Sequence, residues 1–279
     1  MTETLLAHEP WIRLGAFAGV FGVMAAWEVV APRVRRQRAR TQRWPSNLGI
    51  VVLNTLIARG LFPVGAVGVA ALAERAGWGL LHGAPTWLAV PVAVVVLDLA
   101  IYLQHALFHA VPALWRLHRM HHADVDYDVT TGARFHPIEI VLSMVLKLMV
   151  VAAIGAPPVA VLIFEVLLNA TAMFNHGDVT LPGAIDRWLR LVVVTPDMHR
   201  VHHSTVEAET HSNFGFNLPW WDRLFGTYRV SAAAGPTDLT IGLPGFRDPA
   251  EARLDRLLTQ PFRDDTPSSG PVSSRASLP

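Results

Sequence analysis

Five stretches of this chain are apolar for about as long as it takes a helix to cross a lipid bilayer. Trp11 to Ala31 is broken only by Arg13 near its start and Glu28 near its end. Leu48 to Ala73 carries Asn54 and Arg59, and Trp87 to Phe108 ends in histidines. Ile138 to Ile154 and Pro158 to Phe174 follow, joined by Gly155-Ala156-Pro157-Pro158. A crossing needs ~20 apolar residues, because a helix rises 1.5 Å per residue through a core about 30 Å thick. Inside lipid every backbone polar group must be paired within the segment, so these runs are helices. The expected fold class is therefore all-α, an integral membrane bundle of four to five segments. The last two runs read either as full crossings or as a shorter hairpin dipping into the bilayer. Composition agrees: 52% of residues are hydrophobic and 16% charged, against about 25% charged in ordinary soluble domains.

Polarity between the runs suggests an orientation. Arg33, Arg35, Arg36, Arg38, Arg40 and Arg43 follow the first run at once. By the positive-inside rule that block is cytoplasmic and the N-terminus lies outside. Basic residues follow the first run instead of preceding it, so it reads as a membrane helix and not as a cleaved leader. On this topology only His8 and His82 fall on the outer side. The other eleven histidines fall at or near the inner face, as does the C-terminus. Gly177 to Val230, with Trp188, Trp220, Trp221, Arg187 and Arg190, suits a region lying at the headgroup level or a cap packed on the helices. From Ser231 the pattern weakens, and residues 261–279, rich in Ser, Pro and Asp, read as a disordered tail. The chain thus divides into a first helix with its basic segment (1–47), a central membrane domain (48–230) and a C-terminal extension (231–279).

Several function classes are excluded. A net charge of +1 offers no basic surface for nucleic acid. With no cysteine there is no disulfide, no thiolate metal site and no cysteine-held iron–sulfur cluster. The common nucleotide, serine-hydrolase and zinc-protease signatures are absent.

Histidine carries the chemistry. His105 and His109 stand at i and i+4 on the third run, so their rings share one helix face. Asp98 and Tyr102 continue that face. An aspartate inside a crossing is a functional candidate by default; Asp98 is expected to accept a hydrogen bond from a ligand imidazole and fix its tautomer. His118, His121 and His122 form HRMHH, and His199, His202 and His203 form HRVHH. At i, i+3 and i+4 each motif can offer three imidazoles to one site. His136 opens the apolar hairpin and His176 closes it. Ten imidazoles exceed the three or four that one ion takes, and fit two ions with open positions. Imidazole suits iron as well as zinc, so the spacing names no metal.

HxxxH, HxxHH and HxxHH on apolar helices resemble the fatty acid hydroxylase / sterol desaturase superfamily of membrane di-iron proteins. The words DLAIYLQHALFH, PALWRLHRMHH, DVTTGARFHPIEI, FNHGDV, TPDMHRVHH and SNFGFNLPWWDRLFGTY are similar to those of its bacterial sterol desaturase members. The resemblance runs from Asp98 to Tyr228. Ala106 and His211 depart from the usual pattern, and His211 is read as a loop residue. The resemblance implies two irons held by His105, His109, His118, His121, His122, His176, His199, His202 and His203, with His136 as a tenth candidate. It implies O2 as co-substrate and hydroxylation or desaturation of an unactivated C–H bond of a lipid, sterol or fatty acyl. The catalytic set is then His105, His109, His118, His121, His122, His199, His202 and His203. No reductant-binding module is visible, so electrons come from a separate donor protein or a small reductant. The setting implied is a multi-pass protein of a bacterial inner membrane acting in lipid metabolism. Two other readings are an ether-lipid (alkylglycerol) monooxygenase within the same superfamily and a histidine-rich metal transporter. Histidines gathered at one face argue against transport, which places ionisable groups near mid-membrane.

Overall fold

The computed structural model describes residues 2–264. In chain order the helices are α1 (Thr2–Ala7), α2 (Glu9–Val30), α3 (Arg40–Leu61), α4 (Gly65–Ala76), α5 (Thr86–Ala110), α6 (Pro112–His122), α7 (Pro137–Ile154) and α8 (Pro158–Asn175). Short helices follow: α9 (Gly183–Leu189), α10 (Pro196–His202), α11 (Glu207–Thr210), α12 (Trp220–Leu224) and α13 (Leu254–Thr259). There are no strands among the described residues, only two isolated bridges. Five segments are long and apolar enough to cross a membrane: α2, α3 with α4, α5, α7 and α8. The all-α membrane bundle expected from the apolar runs is what the chain forms.

The hairpin of α7 and α8 reaches the end of the bundle opposite the histidines. Its tip meets the α4–α5 loop, where Leu81 N–H donates to Ile154 O at 2.8 Å and Leu80 N–H to Ala153 O. The approach is backbone to backbone. Gly79 and Gly155 both have positive φ, and a Cβ on Gly79 would lie 2.1 Å from Gly155 N. Only glycine fits both demands. Both helices of this pair are long and apolar enough to cross a membrane.

Three differences from the sequence reading concern the polar segments. The second crossing begins at Arg40, not at Leu48, and runs through residue 47 without a break. It is not one straight rod either, because a turn at Phe62–Val64 separates α3 from α4. The arginine block is not a free cationic stretch. Arg33 pairs with Asp197, Arg36 and Arg40 with Glu28, and Arg43 with Asp124 and Asp128. Lastly, residues 231–264 are packed. Ile241, Leu257 and Gln260 are fully buried, Leu257 beside Ile50 of α3 and Met120 of α6. Arg116 and Arg119 donate to the carbonyls of Pro261 and Gln260 at 2.7 and 2.8 Å. Residues 261–264 of the expected disordered tail are thus ordered, with Pro261 buried, and the rest of that tail, 265–279, lies outside the described residues.

The cap carries one exposed apolar face. Ile185, Trp188 and Val192 near α9 and Trp220, Leu224 and Phe225 of α12 are exposed. They adjoin, since Trp220 Nε1 donates to Leu191 O and Arg223 to Arg190 O. An apolar, tryptophan-bearing face beside a membrane bundle suits the headgroup level.

Candidate metal centre

Four elements bring the histidines together at one end of the bundle. α5 delivers His105 and His109, then stops because Pro112 follows Val111 and the residue before proline avoids helical ψ. Pro112 starts α6, where a missing N–H costs nothing, and α6 carries His118, His121 and His122. His176 caps the C-terminus of α8. α10, again opened by a proline, carries His199 and His202, with His203 as its C-cap.

These nine side chains form two groups, each with its ligand atoms within 4.8 Å of one another. His105, His109, His118, His122 and His202 make one; His121, His176, His199 and His203 make the other. All are buried. The expectation that each HxxHH offers three rings to a single site is corrected. At about 100° per residue, i and i+4 stay within one arc while i+3 and i+4 diverge. So His118 and His122 go to the first group and His121 to the second; His199 and His203 go to the second and His202 to the first.

Hydrogen bonds on the outer nitrogens set the tautomers. His105 Nδ1 meets Phe214 O at 2.7 Å, His202 Nδ1 meets Ser212 O at 2.7 Å, and His176 Nδ1 meets Ala172 O at 2.8 Å. A carbonyl only accepts, so each Nδ1 carries the hydrogen and each Nε2 presents a lone pair. His118 Nδ1 meets the Glu139 carboxylate at 2.7 Å, with the same consequence. Those Nε2 atoms converge. His105 Nε2 is 3.1 Å from His118 Nε2 and 3.0 Å from His202 Nε2; His176 Nε2 is 3.1 Å from His121 Nε2 and 3.2 Å from His203 Nε2.

Facing lone pairs at that spacing repel unless a cation lies between them. Two nitrogens ~2.1 Å from a shared ion at right angles stand ~3.0 Å apart. Both ring nitrogens of His109, His122 and His199 are buried without a protein partner, as is Nδ1 of His121 and of His203. The donor set therefore fits metal ions.

Proton uptake is disfavoured in the buried part of the site that lies beyond the membrane helices. Burial first, then neighbouring imidazoles, pull His121, His122, His199 and His203 well below the usual histidine range. Burial and His118 do the same to His202, against the Ser212 carbonyl. Burial brings His176 down to about 3. Neutral imidazole is the metal-binding form.

Three candidates stand elsewhere. His136 joins neither group. Its Nδ1 accepts from Ile138 N–H at 3.2 Å, capping α7, and its Nε2 faces Leu258 O at 3.2 Å, so both nitrogens are taken. Asp98 touches no imidazole. It accepts from Trp221 Nε1 at 2.8 Å and Leu218 N–H at 3.2 Å, tying the cap to α5. Tyr102 bonds to Thr227 at 2.8 Å and stacks on Phe225. Asp98 and Tyr102 thus hold the 214–227 segment whose Phe214 carbonyl orients His105. His211, read as a loop residue, is exposed, with its ring 5.5 Å from that of His109.

Two contributors were missed. Glu139, the carboxylate behind His118, is a charge in the first turn of an apolar crossing, the same signal that singled out Asp98. Tyr127 is buried against His176 and His203, its ring covered by Arg200. Its neighbours Asp124 and Asp128 clamp the loop to α3 through Arg43. Opposite charges 81 and 85 residues apart in two polar segments were the available sign.

Residues 90–227 match the family model described as fatty acid hydroxylase. An ornithine lipid hydroxylase of Rhizobium tropici is 32% identical over 153 residues, which is 54% of this chain and 45% of that protein. Alkylglycerol monooxygenase of Homo sapiens is 27% identical over 167 residues, 58% of this chain and 35% of that protein. Cholesterol 25-hydroxylase of Homo sapiens is 25% identical over 140 residues, 50% of each. The chain spans half or less of the length of these relatives. No solved structure matches it.

Proposed function

We propose, from the premise that residues 90–227 of this chain belong to the fatty acid hydroxylase family, that the protein is a membrane oxidoreductase using O2 to hydroxylate an unactivated C–H bond of a lipid. The observation that carries this reading is the convergence of histidine lone pairs into a group of five and a group of four, side by side at one end of an apolar bundle. Relatives named as hydroxylases and monooxygenases favour oxygen insertion over desaturation. The similarity to alkylglycerol monooxygenase keeps an ether-lipid carbon among the candidate targets.

In this reading His105, His109, His118, His122 and His202 hold one iron, and His121, His176, His199 and His203 the other. Two irons bound there supply the electron chemistry that couples O2 and two external electrons to C–H cleavage. The chain's own residues do the rest. Glu139 keeps the His118 proton on Nδ1, and the Phe214, Ser212 and Ala172 carbonyls keep those of His105, His202 and His176 outward. Phe108, Phe135 and Phe216 line a cavity that opens beside His105 and His118, holding water away and an alkyl chain in place. Electrons come from a separate donor. The arginine block packs at the histidine end, which supports a site on the cytoplasmic face of a bacterial inner membrane.

The test is metal analysis of protein purified from iron-supplied cells, with lipid analysis of the same cells. Two irons per chain and an O2-dependent hydroxylated lipid, both lost in His121→Ala, are expected. Zero or one ion per chain sinks the dinuclear reading.

A further inference from the structure

The segment from Phe214 to Tyr228 does more than orient His105. It runs along α5 away from the histidines. Its Phe214 carbonyl accepts from His105 Nδ1 at 2.7 Å. Three residues further along α5, Tyr102 bonds to Thr227 at 2.8 Å and stacks on Phe225. Four residues beyond that, Asp98 accepts from Trp221 Nε1 at 2.8 Å and from Leu218 N–H at 3.2 Å. Seven residues of helix span about 10 Å. The other flank follows α8 in the same direction. Asn175 Nδ2 donates to Phe216 O at 3.0 Å, and Thr171, one turn further from the histidines, bonds to Asn217.

The histidines mark the edge of the apolar bundle. α7 begins beside His136 and α8 ends beside His176, and each has 18 residues. Each is thus about 27 Å long, close to the ~30 Å of hydrocarbon in a bilayer. Leu103 and Leu107 of α5 and Ile138 and Leu142 of α7 are exposed, so the bundle stays apolar outside up to the histidine level. A point about 10 Å along α5 from His105 therefore lies within the hydrocarbon, not at its border.

The segment is built for that depth. Non-helical backbone in lipid is tolerated only where protein covers it. Phe214 to Asn217 and Pro219 are buried. Asp222, fully buried, accepts from Phe214 N–H at 2.8 Å and Gly215 N–H at 2.9 Å. Its own carbonyl accepts from the N–H groups of Thr227 and Tyr228. What the segment exposes is mostly the helical turn α12 and its end, through Trp220, Leu224 and Phe225 at 45%, 69% and 51%. Arg223, exposed beside them, donates to the carbonyls of Pro219 and Arg190 and lies over the Tyr228 ring.

We propose that Phe214 to Tyr228 is a re-entrant element, with the exposed face of α12 set against acyl chains of the leaflet on the histidine side. The occupant is hydrocarbon because the face is anchored on α5 at residues 98 and 102, level with the exposed Leu103 of the same helix. Tryptophans alone would suggest the headgroups; the register on α5 sets the face lower. The carbonyl that orients His105 thus belongs to an element seated in lipid. Nothing here requires a metal, so this placement and the oxygenase reading stand or fall separately.

The test uses the full chain in phosphatidylcholine nanodiscs. The sequence has no cysteine, so Leu224→Cys, Leu103→Cys and Asp238→Cys each take one nitroxide label. Collision with oxygen, which concentrates in hydrocarbon, is compared with collision with a water-soluble nickel chelate. The Leu224 label is expected to favour oxygen about as strongly as the Leu103 label, while the label at Asp238, exposed in the 231–264 segment, favours the chelate. A Leu224 label that behaves like the one at Asp238 places the face in water and overturns the proposal. A label shielded from both, with broadening from a second label, places it against another copy and also overturns it. Wild type gives an independent check without substitution. A phosphatidylcholine with a diazirine on its acyl chain should leave adducts on residues 220–225, and labelling of 103–107 without them would refute the placement.

Discussion

Replacing Arg43 with methionine should cost about 3 kcal/mol of stability, because the change orphans one buried carboxylate and not two. Arg43 is 1% exposed and bonds to Asp124 at 2.7 and 2.6 Å and to Asp128 at 2.7 Å. Breaking a buried pair by removing one partner costs about 3–5 kcal/mol. Arg134 remains 3.2 Å from Asp124 after the change, so Asp124 keeps a cation. Asp128 keeps only hydrogen bonds, from Trp44 Nε1 at 3.0 Å and from Thr130 N–H at 3.0 Å and Oγ1–H at 2.6 Å. The low end of the range follows, still a large part of the ~5–15 kcal/mol that holds a typical domain together. Arg43→Met/Asp128→Asn removes the orphan and should recover ~2 kcal/mol, a coupling of the size seen between contacting groups. The pH dependence supplies a second check. Burial, the largest influence, pushes the Asp124 and Asp128 carboxyls up, but Arg43 together with Arg134 at Asp124 and the Thr130 and Trp44 hydrogen bonds at Asp128 outweighs it, and both sit below their usual range. A depressed carboxyl stabilises above its unfolded pKa, ~3.9, and the benefit fades only as pH falls through the lower folded value. The wild-type contribution is therefore flat from pH 7.5 to 5.5. In Arg43→Met the orphaned carboxyl protonates more readily, so its deficit should shrink over that interval. Denaturant midpoints of detergent-solubilised protein at both pH values measure this. A loss under 1 kcal/mol, or strictly additive single variants, would refute the orphaned-charge argument.

Glu139→Gln keeps an acceptor for His118 Nδ1 but loses the charge, and should lower metal affinity about 10-fold or more, read by chelator competition. Gly132→Ala places a Cβ 2.4 Å from Ala172 O and 3.1 Å from His176 Nδ1. It should displace the carbonyl that orients His176, and metal analysis should show preferential loss from the group of four. His136→Ala should cost ~1 kcal/mol as a lost helix cap while metal content stays at the wild-type value; loss of an ion would restore His136 as a ligand. Metal-free protein should destabilise as pH falls below ~6.5. Unfolded histidines take up protons there while His121, His122, His199, His202 and His203 resist, down to about pH 3 for His176. Stability then rises with pH across that window, and a melting temperature unchanged between pH 7.5 and 5.5 would contradict it.

The five crossings were legible because bilayer thickness sets a length that an apolar run either meets or does not. The histidines were legible because nine imidazoles at helix-face spacing serve no packing purpose. What escaped was pairing between distant polar groups. Arg40 to Arg43 read as part of the basic cytoplasmic segment ahead of the second crossing, since an arginine-rich stretch looks solvated until Asp124 and Asp128 are placed against it. Residues 231–264 read as weakly ordered because they are held through backbone carbonyls, at Gln260 and Pro261, which carry no side-chain pattern. Glu139 was legible in principle and overlooked, and Asp98 was noticed but given the wrong partner. A carboxylate in a crossing announces that it is paired without saying with what.

The division of the two HxxHH motifs explains why they are near copies. α6 gives its i, i+4 pair, His118 and His122, to the group of five and its remaining ring, His121, to the group of four. α10 does the reverse, giving His199 and His203 to the group of four and His202 to the group of five. Each helix lies between the two groups, and each group takes an edge pair from one helix and a single ring from the other. The membrane helices complete the sets, with His105 and His109 from α5 and His176 from the end of α8. Neither group is therefore local to one element, and neither forms until α6 and α10 are both seated on the bundle. An ion bound in one group would fix the rotation of both helices, and with it the positions of the rings belonging to the other. If each group holds an ion, filling of the two sites should be coupled through those two helices, which metal titration would read as cooperative binding.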